Sequence, residues 1–366
     1  MRKGNNPVLC LLSFFYGLIT AVRNFMYDKG VIPSHKFEIP VICVGNITVG
    51  GTGKTPHTMY LVSLLKKDYR VAVLSRGYRR RSRGFQVVTP QSSVAQAGDE
   101  PLQTACRFPE ILVAVDRKRV QGVETITRLF PATEVIILDD AFQHRRITPG
   151  FSILLTDFNR LMTRDRMLPS GNLRESIGNK SRADIIIVSK TPHDIQAEEQ
   201  RLIINEIAPS NKQRLFFTGL TYPDPVPLSE ASPPLNFDND KAAGILLVTG
   251  IADPSYLQSH IEKLTNELVH MRFPDHYPFT AGDMERIMKR YSEMKSPRSI
   301  ILTTEKDAVR LREFVNIAVT AGAPVYYQLV EVSFLNDGKN EFDKLITEYA
   351  GRNKRNVRVP QIKGDY

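Results

Sequence analysis

Short apolar runs recur along this chain, each closed by glycine, serine or aspartate and followed by a longer stretch of mixed apolar and charged positions. That alternation predicts strand–helix–strand units in a largely parallel sheet, whose strands are buried on both faces and so read as continuous apolar segments. The first series places a strand that opens at Val41 and runs into a glycine-rich turn, then strands at 70–75, 111–115, 134–140, 151–156, 183–189 and 214–221. Helices are expected over 55–65 and from Pro101 toward Cys106, the latter with Asp99 and Glu100 at its N-terminal end, where the helix dipole favours acidic groups. Residues 168–175 form a Pro/Gly turn leading to a helix. A second series follows: a strand and turn over 244–253, a strand from 269 into a His/Asp loop ending at Phe279, one from 299 toward Asp307 and one at 324–330, with a last helix over 342–349. Between the two series, 222–240 is rich in proline, aspartate and serine (Pro223, Pro225, Pro227, Pro233, Pro234) and reads as a connector. The expected architecture is α/β, with a larger core at 29–221, a smaller α/β domain at 241–350 and a basic tail at 351–366.

The N-terminus follows a different pattern. Residues 8–22 carry no charge and are apolar on every side of a helix, flanked by Arg2, Lys3, Arg23 and Lys29. Fifteen helical residues extend about 22 Å, short of the roughly 30 Å hydrocarbon core of a bilayer. A signal peptide, a buried core helix and a membrane-seated helix all meet this description. No small-x-small cleavage site follows, and the basic flanks favour a helix over 1–28 seated in a membrane from the cytoplasmic side.

Composition narrows the partners. In 366 residues there is room for two domains, and a net charge of +10 favours anionic ligands: nucleotides, nucleic acid or an anionic membrane face. Cys10, Cys43 and Cys106 are far apart, with no CxxC pair or Cys/His cluster, so neither a disulfide framework nor a zinc site is indicated. There is no nucleic-acid recognition module, which argues against a nucleic-acid partner, and nothing points to a protein partner.

The chemistry concentrates after the first strand. Thr48-Val49-Gly50-Gly51-Thr52-Gly53-Lys54-Thr55 leads into a helix, the arrangement of a phosphate-binding P-loop. Polyphosphate needs several backbone N–H groups turned inward, and the glycines let the chain bend without a side-chain clash. Lys54 is placed to reach the β- and γ-phosphates, and the Thr55 hydroxyl to ligate Mg²⁺. Thr48 stands where the usual first glycine falls, so the loop is a variant. The strand ending in Asp139-Asp140 is a Walker B pattern, a buried strand whose C-terminal carboxylate holds Mg²⁺. Gln143 and His144 follow at the same end of the sheet, where ligands bind in open α/β folds. The segment 76–83 carries five arginines, which reads either as a solvated loop or as an electropositive lip for phosphate or headgroup contact.

The ordered set Gly45-Asn46…Gly50-Gly51-Thr52-Gly53-Lys54-Thr55-Pro56, Ser75-Arg76-Gly77-Tyr78, Gly98-Asp99-Glu100-Pro101, Asp139-Asp140 with Gln143-His144, Phe273-Pro274-Asp275-His276 and Thr304-Glu305-Lys306-Asp307 resembles the tetraacyldisaccharide 4′-kinases. The likeness runs over nearly the whole chain. It implies ATP and Mg²⁺, a tetraacylated disaccharide 1-phosphate lipid as acceptor, two α/β domains flanking the active site, and attachment to the cytoplasmic face of the bacterial inner membrane. By the resemblance, Asp99 is the general base toward the sugar hydroxyl and His276, in the second domain, its partner. Glu100 joins Thr55, Asp139 and Asp140 as a candidate on the metal side. Asn46, Arg76, Tyr78, Arg119, Gln143 and His144 are candidates for substrate contact. A membrane-cycling ATPase switch of the partition type is the alternative. Such proteins carry a signature lysine before the Gly-Gly pair, where this chain has Val49.

Overall fold

The computed structural model describes residues 6–230, 232, 233, 235, 244–296 and 298–352. Arg2 and Lys3, much of the second half of the connector, and the basic tail from 353 lie outside the described residues.

Two compact units emerge, each assembled from separated segments. One draws on Met1–Arg76, Ile111–Gly219 and Ser333–Tyr366, the other on Gly77–Glu110 and Leu220–Val332. This differs from the contiguous domains expected at 29–221 and 241–350, and packing gives the reason. The helix Asp99–Arg107 packs on the helix Glu305–Leu311, with Gln103 Nε2 donating to Glu305 at 2.8 Å. The last helix, Gly338–Gly351, buries Phe342 and Ile346 in the first unit, where Phe342 stacks edge-on against Tyr60 and Phe216. Asp99 and His276, expected in different domains, therefore share a unit.

In the first unit the strands run Glu331–Phe334, Arg214–Thr221, Ile185–Ser189, Phe151–Asp157, Val41–Asn46, Val135–Asp139, Val71–Ser75, Leu112–Val115. Val41–Asn46 is central, parallel to Val135–Asp139 on one side and Phe151–Asp157 on the other. All three are buried almost end to end, as continuous apolar runs require. Their C-terminal ends hold the phosphate loop and the Asp139-Asp140 pair at the point where strand order reverses.

The helix Pro7–Asp28 falls within the expected 1–28 and extends about 33 Å, beyond the uncharged stretch 8–22. Arg23 continues it and donates to the buried Glu175 at 2.8 Å. The faces are inverted relative to a soluble core helix. Ser13, Thr20 and Asn24 are its buried residues, while Phe14 and Ile19 are 66% and 68% exposed. Polar side chains do the docking: Ser13 donates to Met167 O at 3.0 Å, Tyr16 to Arg174 O at 3.1 Å, and Asn24 to Asn179 at 3.2 Å.

The second unit has its own sheet in the order Glu267–Arg272, Gly244–Thr249, Ile300–Thr304, Val325–Gln328, Val226–Pro227. Val226–Pro227 lies inside the supposed connector and pairs antiparallel with Val325–Gln328, so that stretch is partly built into the fold.

Candidate active site

The phosphate loop is shaped by bonds from its own backbone and from neighbouring segments, among them Thr52 N donating to Gly50 O at 3.1 Å. Gly53 caps the helix Lys54–Leu65 at φ 78°, and Gly50 lies at φ 110°, both in the region that favours glycine. A Cβ on Gly50 would fall 2.7 Å from the Arg160 guanidinium, which donates to Val49 O at 2.7 Å. Thr48, buried, forms an antiparallel bridge with Leu173, which explains why this position needs no glycine. Val49 N donates to Asn172 O at 2.8 Å, so the 165–175 turn clamps the outside of the loop. Beneath it, Asn46 Nδ2 donates to Thr52 Oγ1 at 2.8 Å, and Ser189 Oγ to Thr52 O at 2.9 Å. His57 Nδ1 lies 2.7 Å from Gly53 O and Nε2 3.0 Å from Thr218 Oγ1. Burial pulls His57 down to about 4, so it sits under the loop as a neutral imidazole.

Lys54 Nζ is 3.4 Å from Asp140 Oδ1, and Arg174 Nη1 is 3.6 Å from Asp140 Oδ2. Burial works to raise the Asp140 carboxyl, but Lys54, Arg174 and Arg119 together hold it below the usual carboxylate range. Asp139 is the more buried of the pair and accepts from Thr58 Oγ1 at 3.2 Å. Arg119, also buried, donates to Asp116 O at 2.9 Å and Asp139 O at 3.3 Å. Burial pushes the Arg119 guanidinium down to about 10 against the opposing pull of both aspartates. His144 is likewise lowered to about 4 by burial and by Arg119, Arg146 and Arg76. Gln143 Nε2 donates to the Asn46 carbonyl.

These placements revise several expectations. Asn46 is fully buried and Arg119 nearly so. Arg76 and Tyr78 are exposed. The arginine-rich segment is not wholly solvated: Arg80 is buried, its guanidinium donating to Gly84 O at 2.6 Å. A guanidinium that finds a carbonyl partner can fold inward where a bare count of charges suggests otherwise. Among the described residues, no group of three or more His, Cys, Asp or Glu gathers to hold a metal ion. The donors present do fit Mg²⁺, which takes one or two carboxylates and completes its shell with substrate phosphates and water.

The second unit supplies a separate constellation. Gly98 at φ 86° caps the helix that begins with Asp99, and a Cβ there would meet Tyr78 O at 2.7 Å. Asp99 is 7% exposed, and its Oδ2 lies 2.7 Å from His276 Nδ1 and 3.7 Å from Arg310 Nε. Burial pushes the Asp99 carboxyl upward, but the His276 hydrogen bond, Arg310 and Lys306 outweigh it and leave the group below its ordinary value. His276 is held at φ 60°, with its N–H on Gly250 O at 3.1 Å and its ring edge-on to Tyr78 at 5.5 Å. Lys306 Nζ lies 3.2 Å from His276 Nε2 and 3.7 Å from Glu100 Oε1, so the Glu100 carboxylate has a cation beside it in this unit. Arg310 is locked by Asp307 at 2.5 Å and by Tyr277 O at 3.1 Å. Lys306, Arg310, Arg174, Arg160 and His57 escaped sequence reasoning as site residues. Of these, Lys306 lies in the Thr304–Asp307 motif and Arg174 in the 168–175 turn, but local spacing gives neither of them a role.

A central parallel strand, a glycine loop, a helix behind it and paired aspartates on the neighbouring strand define a P-loop protein of the phosphoryl-transfer class. A family model described as Tetraacyldisaccharide-1-P 4′-kinase matches residues 6–350. Tetraacyldisaccharide 4′-kinase from Phocaeicola vulgatus is 46% identical over 354 residues, covering 96% of this chain and 97% of that one. The protein of the same description from Bacteroides thetaiotaomicron is 40% identical, covering 94% and 93%. The crystal structure of LpxK from Aquifex aeolicus in complex with ATP superposes with a TM-score of 0.71 at 30% identity, covering 93% of this chain and 98% of that chain. The chain belongs to the tetraacyldisaccharide 4′-kinase family. That membership sets the partition-type ATPase alternative aside.

Proposed function

We propose that this protein transfers the γ-phosphoryl group of ATP to the 4′-hydroxyl of a tetraacylated disaccharide 1-phosphate in lipid A assembly. One observation carries the reading at the level of chemistry: a buried carboxylate, Asp99, held by His276 and kept ionised, in a chain that also carries a phosphate loop. A hydroxyl nucleophile needs a positioned base, and a carboxylate already ionised well below neutral pH is available as one. The sugar oxygen forms the new bond to the γ-phosphorus as the bond to the bridging β–γ oxygen breaks. The hydroxyl proton passes to Asp99, and ADP carries away the electron pair.

Backbone N–H groups of the loop, among them those of Gly51, Gly53, Lys54 and Thr55, and the Lys54 ammonium bind the phosphates. Thr55, Asp139 and Asp140 are the residues that would hold Mg²⁺, which when bound neutralises charge on the phosphate oxygens. Asp140 pairs with both Lys54 and Arg174 beside the loop. Exposed Arg76 and Tyr78 remain candidates for acceptor contact, as do Gln143 and His144.

Binding from the cytoplasmic side of the inner membrane fits the same reading. The helix Pro7–Asp28 is long and apolar enough to cross a membrane, and it docks by its polar stripe while Leu11, Phe14, Phe15, Leu18 and Ile19 face outward. A lipid acceptor then reaches the site from the surface in which the helix is seated.

The test uses the purified protein with γ-labelled ATP, Mg²⁺ and a disaccharide 1-phosphate lipid. Label is expected in the lipid fraction, and Asp99→Ala is expected to lower its appearance by about 10²- to 10⁴-fold. Label released only as free phosphate overturns the reading.

A further inference from the structure

We propose that Lys306 is a positioning residue for the Asp99–His276 pair: its ammonium fixes which imidazole nitrogen carries the proton. The inference rests on the reading of Asp99 as the base. A lysine ammonium has three donors and no acceptor. Nε2 of His276, 3.2 Å from Lys306 Nζ, must therefore present its lone pair. The ring proton then resides on Nδ1, which faces Asp99 Oδ2 at 2.7 Å and donates to it. Both described partners of Asp99, His276 and Arg310, lie on Oδ2. Oδ1 is thereby left to accept the acceptor hydroxyl's proton, with the carboxylate held against rotation. The opposite tautomer would set two lone pairs against each other at 2.7 Å and release Asp99.

Lys306 is itself held in place. Asp275 Oδ1 lies 3.6 Å and Glu100 Oε1 3.7 Å from its ammonium, while Asp275 Oδ2 lies 3.6 Å from His276 Nε2. Two carboxylates that cannot donate when ionised thus flank the one group that can. Its side chain is 20% exposed, so the ammonium is tethered at the edge of the site without being sealed in it.

Three readouts on the full-length protein test this. Lys306→Met is expected to lower kcat by about tenfold to a hundredfold, the scale for losing a group that orients a catalytic one, with KM for ATP and for lipid unchanged. Lys306→Arg, which keeps a donor-only cation, should recover most of the loss. In a double-mutant cycle, His276→Ala with Lys306→Met should be no slower than His276→Ala alone, because both remove the same device. The ¹⁵N spectrum of the imidazole, assigned by difference against His276→Gln, should show a single Nδ1–H tautomer in wild type and a mixture in Lys306→Met. A raised ATP KM with kcat retained would make Lys306 a phosphate contact and overturn the proposal. Additive losses, or an unchanged ¹⁵N signature, would overturn it too. Wild-type turnover in Asp99→Ala would instead defeat the base assignment, whereas an inactive Asp99→Ala beside a fully active Lys306→Met defeats only the role of Lys306.

Discussion

Glu175 is completely buried and carries two guanidiniums, Arg23 from the N-terminal helix at 2.8 Å and Arg182. Removing the carboxylate would leave Arg182, already lowered by burial, without its counter-charge. Glu175→Ala is expected to destabilise the protein by about 3 kcal/mol, read by chemical denaturation, since breaking one side of a buried pair costs more than the pair is worth. His57 gives a second effect at this scale, of definite sign. Its folded value near 4 lies below the ordinary value of about 6.5, so the unfolded chain binds its proton first. Stability should be fully present above about pH 6.5 and fall between there and about pH 4, by at most about 3 kcal/mol from this group. His57→Gln should flatten that part of a stability-versus-pH curve. Asp99 behaves as a depressed carboxylate: its stabilisation is present above its ordinary range and lost only as pH falls through its lower folded value. The base therefore stays ionised throughout the neutral range, and no acid limb from Asp99 is expected between about pH 5 and 8 in a kcat/KM profile.

At the scale of elements, the N-terminal helix separates docking from membrane seating by face. Ser13, Tyr16, Thr20, Arg23 and Asn24 recur at helical spacing and face the protein, while the apolar positions between them face away. Ile19→Asp and Leu18→Asp should reduce co-sedimentation with anionic vesicles while leaving the melting temperature and ATP affinity unchanged. Ser13→Leu should do the reverse, keeping vesicle binding and loosening the helix from the 167–179 segment. The stripe is written in the sequence as Ser13, Thr20 and Asn24, but an apolar average over 8–22 hides its first two members and stops short of the third. The buried parallel strands were legible to within a residue or two, because burial on both faces writes an unbroken apolar run. The helices Arg119–Leu129, Ala197–Ile207 and Ala281–Ser292 were passed over: with charged residues on their outward faces, they carry no such run. Lys54, Thr55, Asp139 and Asp140 announced themselves by local spacing. Arg310 and Lys306 did not, because their meaning comes from side chains on distant segments.

At the scale of the whole molecule, the chain passes between its two units four times, after Arg76, Glu110, Gly219 and Val332. Each unit is therefore completed by residues remote in sequence, and a contiguous cut cannot isolate either. The fragment 29–221, a natural choice from the apolar pattern, would keep 77–110 without the helix Glu305–Leu311 on which Asp99–Arg107 packs. It would strand Gln103 and Arg107, whose partner Glu305 is absent. It would also lose Phe342 and Ile346 from the first unit's core, and Tyr349, which donates to Val41 O at 3.2 Å and accepts from Val41 N at 3.1 Å. Those bonds hold the start of the strand that ends in the phosphate loop. Each large apolar side chain removed from a core costs about 3–5 kcal/mol, so the two losses together approach the entire stability of a typical domain. The fragment is expected to melt without a cooperative transition by circular dichroism and to bind no ATP. A chimera that deletes 77–110 and fuses 333–352 after 219 through a flexible linker restores the missing core and should regain a cooperative melt and nucleotide binding, yet no phosphoryl transfer. Cooperative folding of 29–221 alone would show that the remote segments decorate a self-sufficient core, contrary to the packing described.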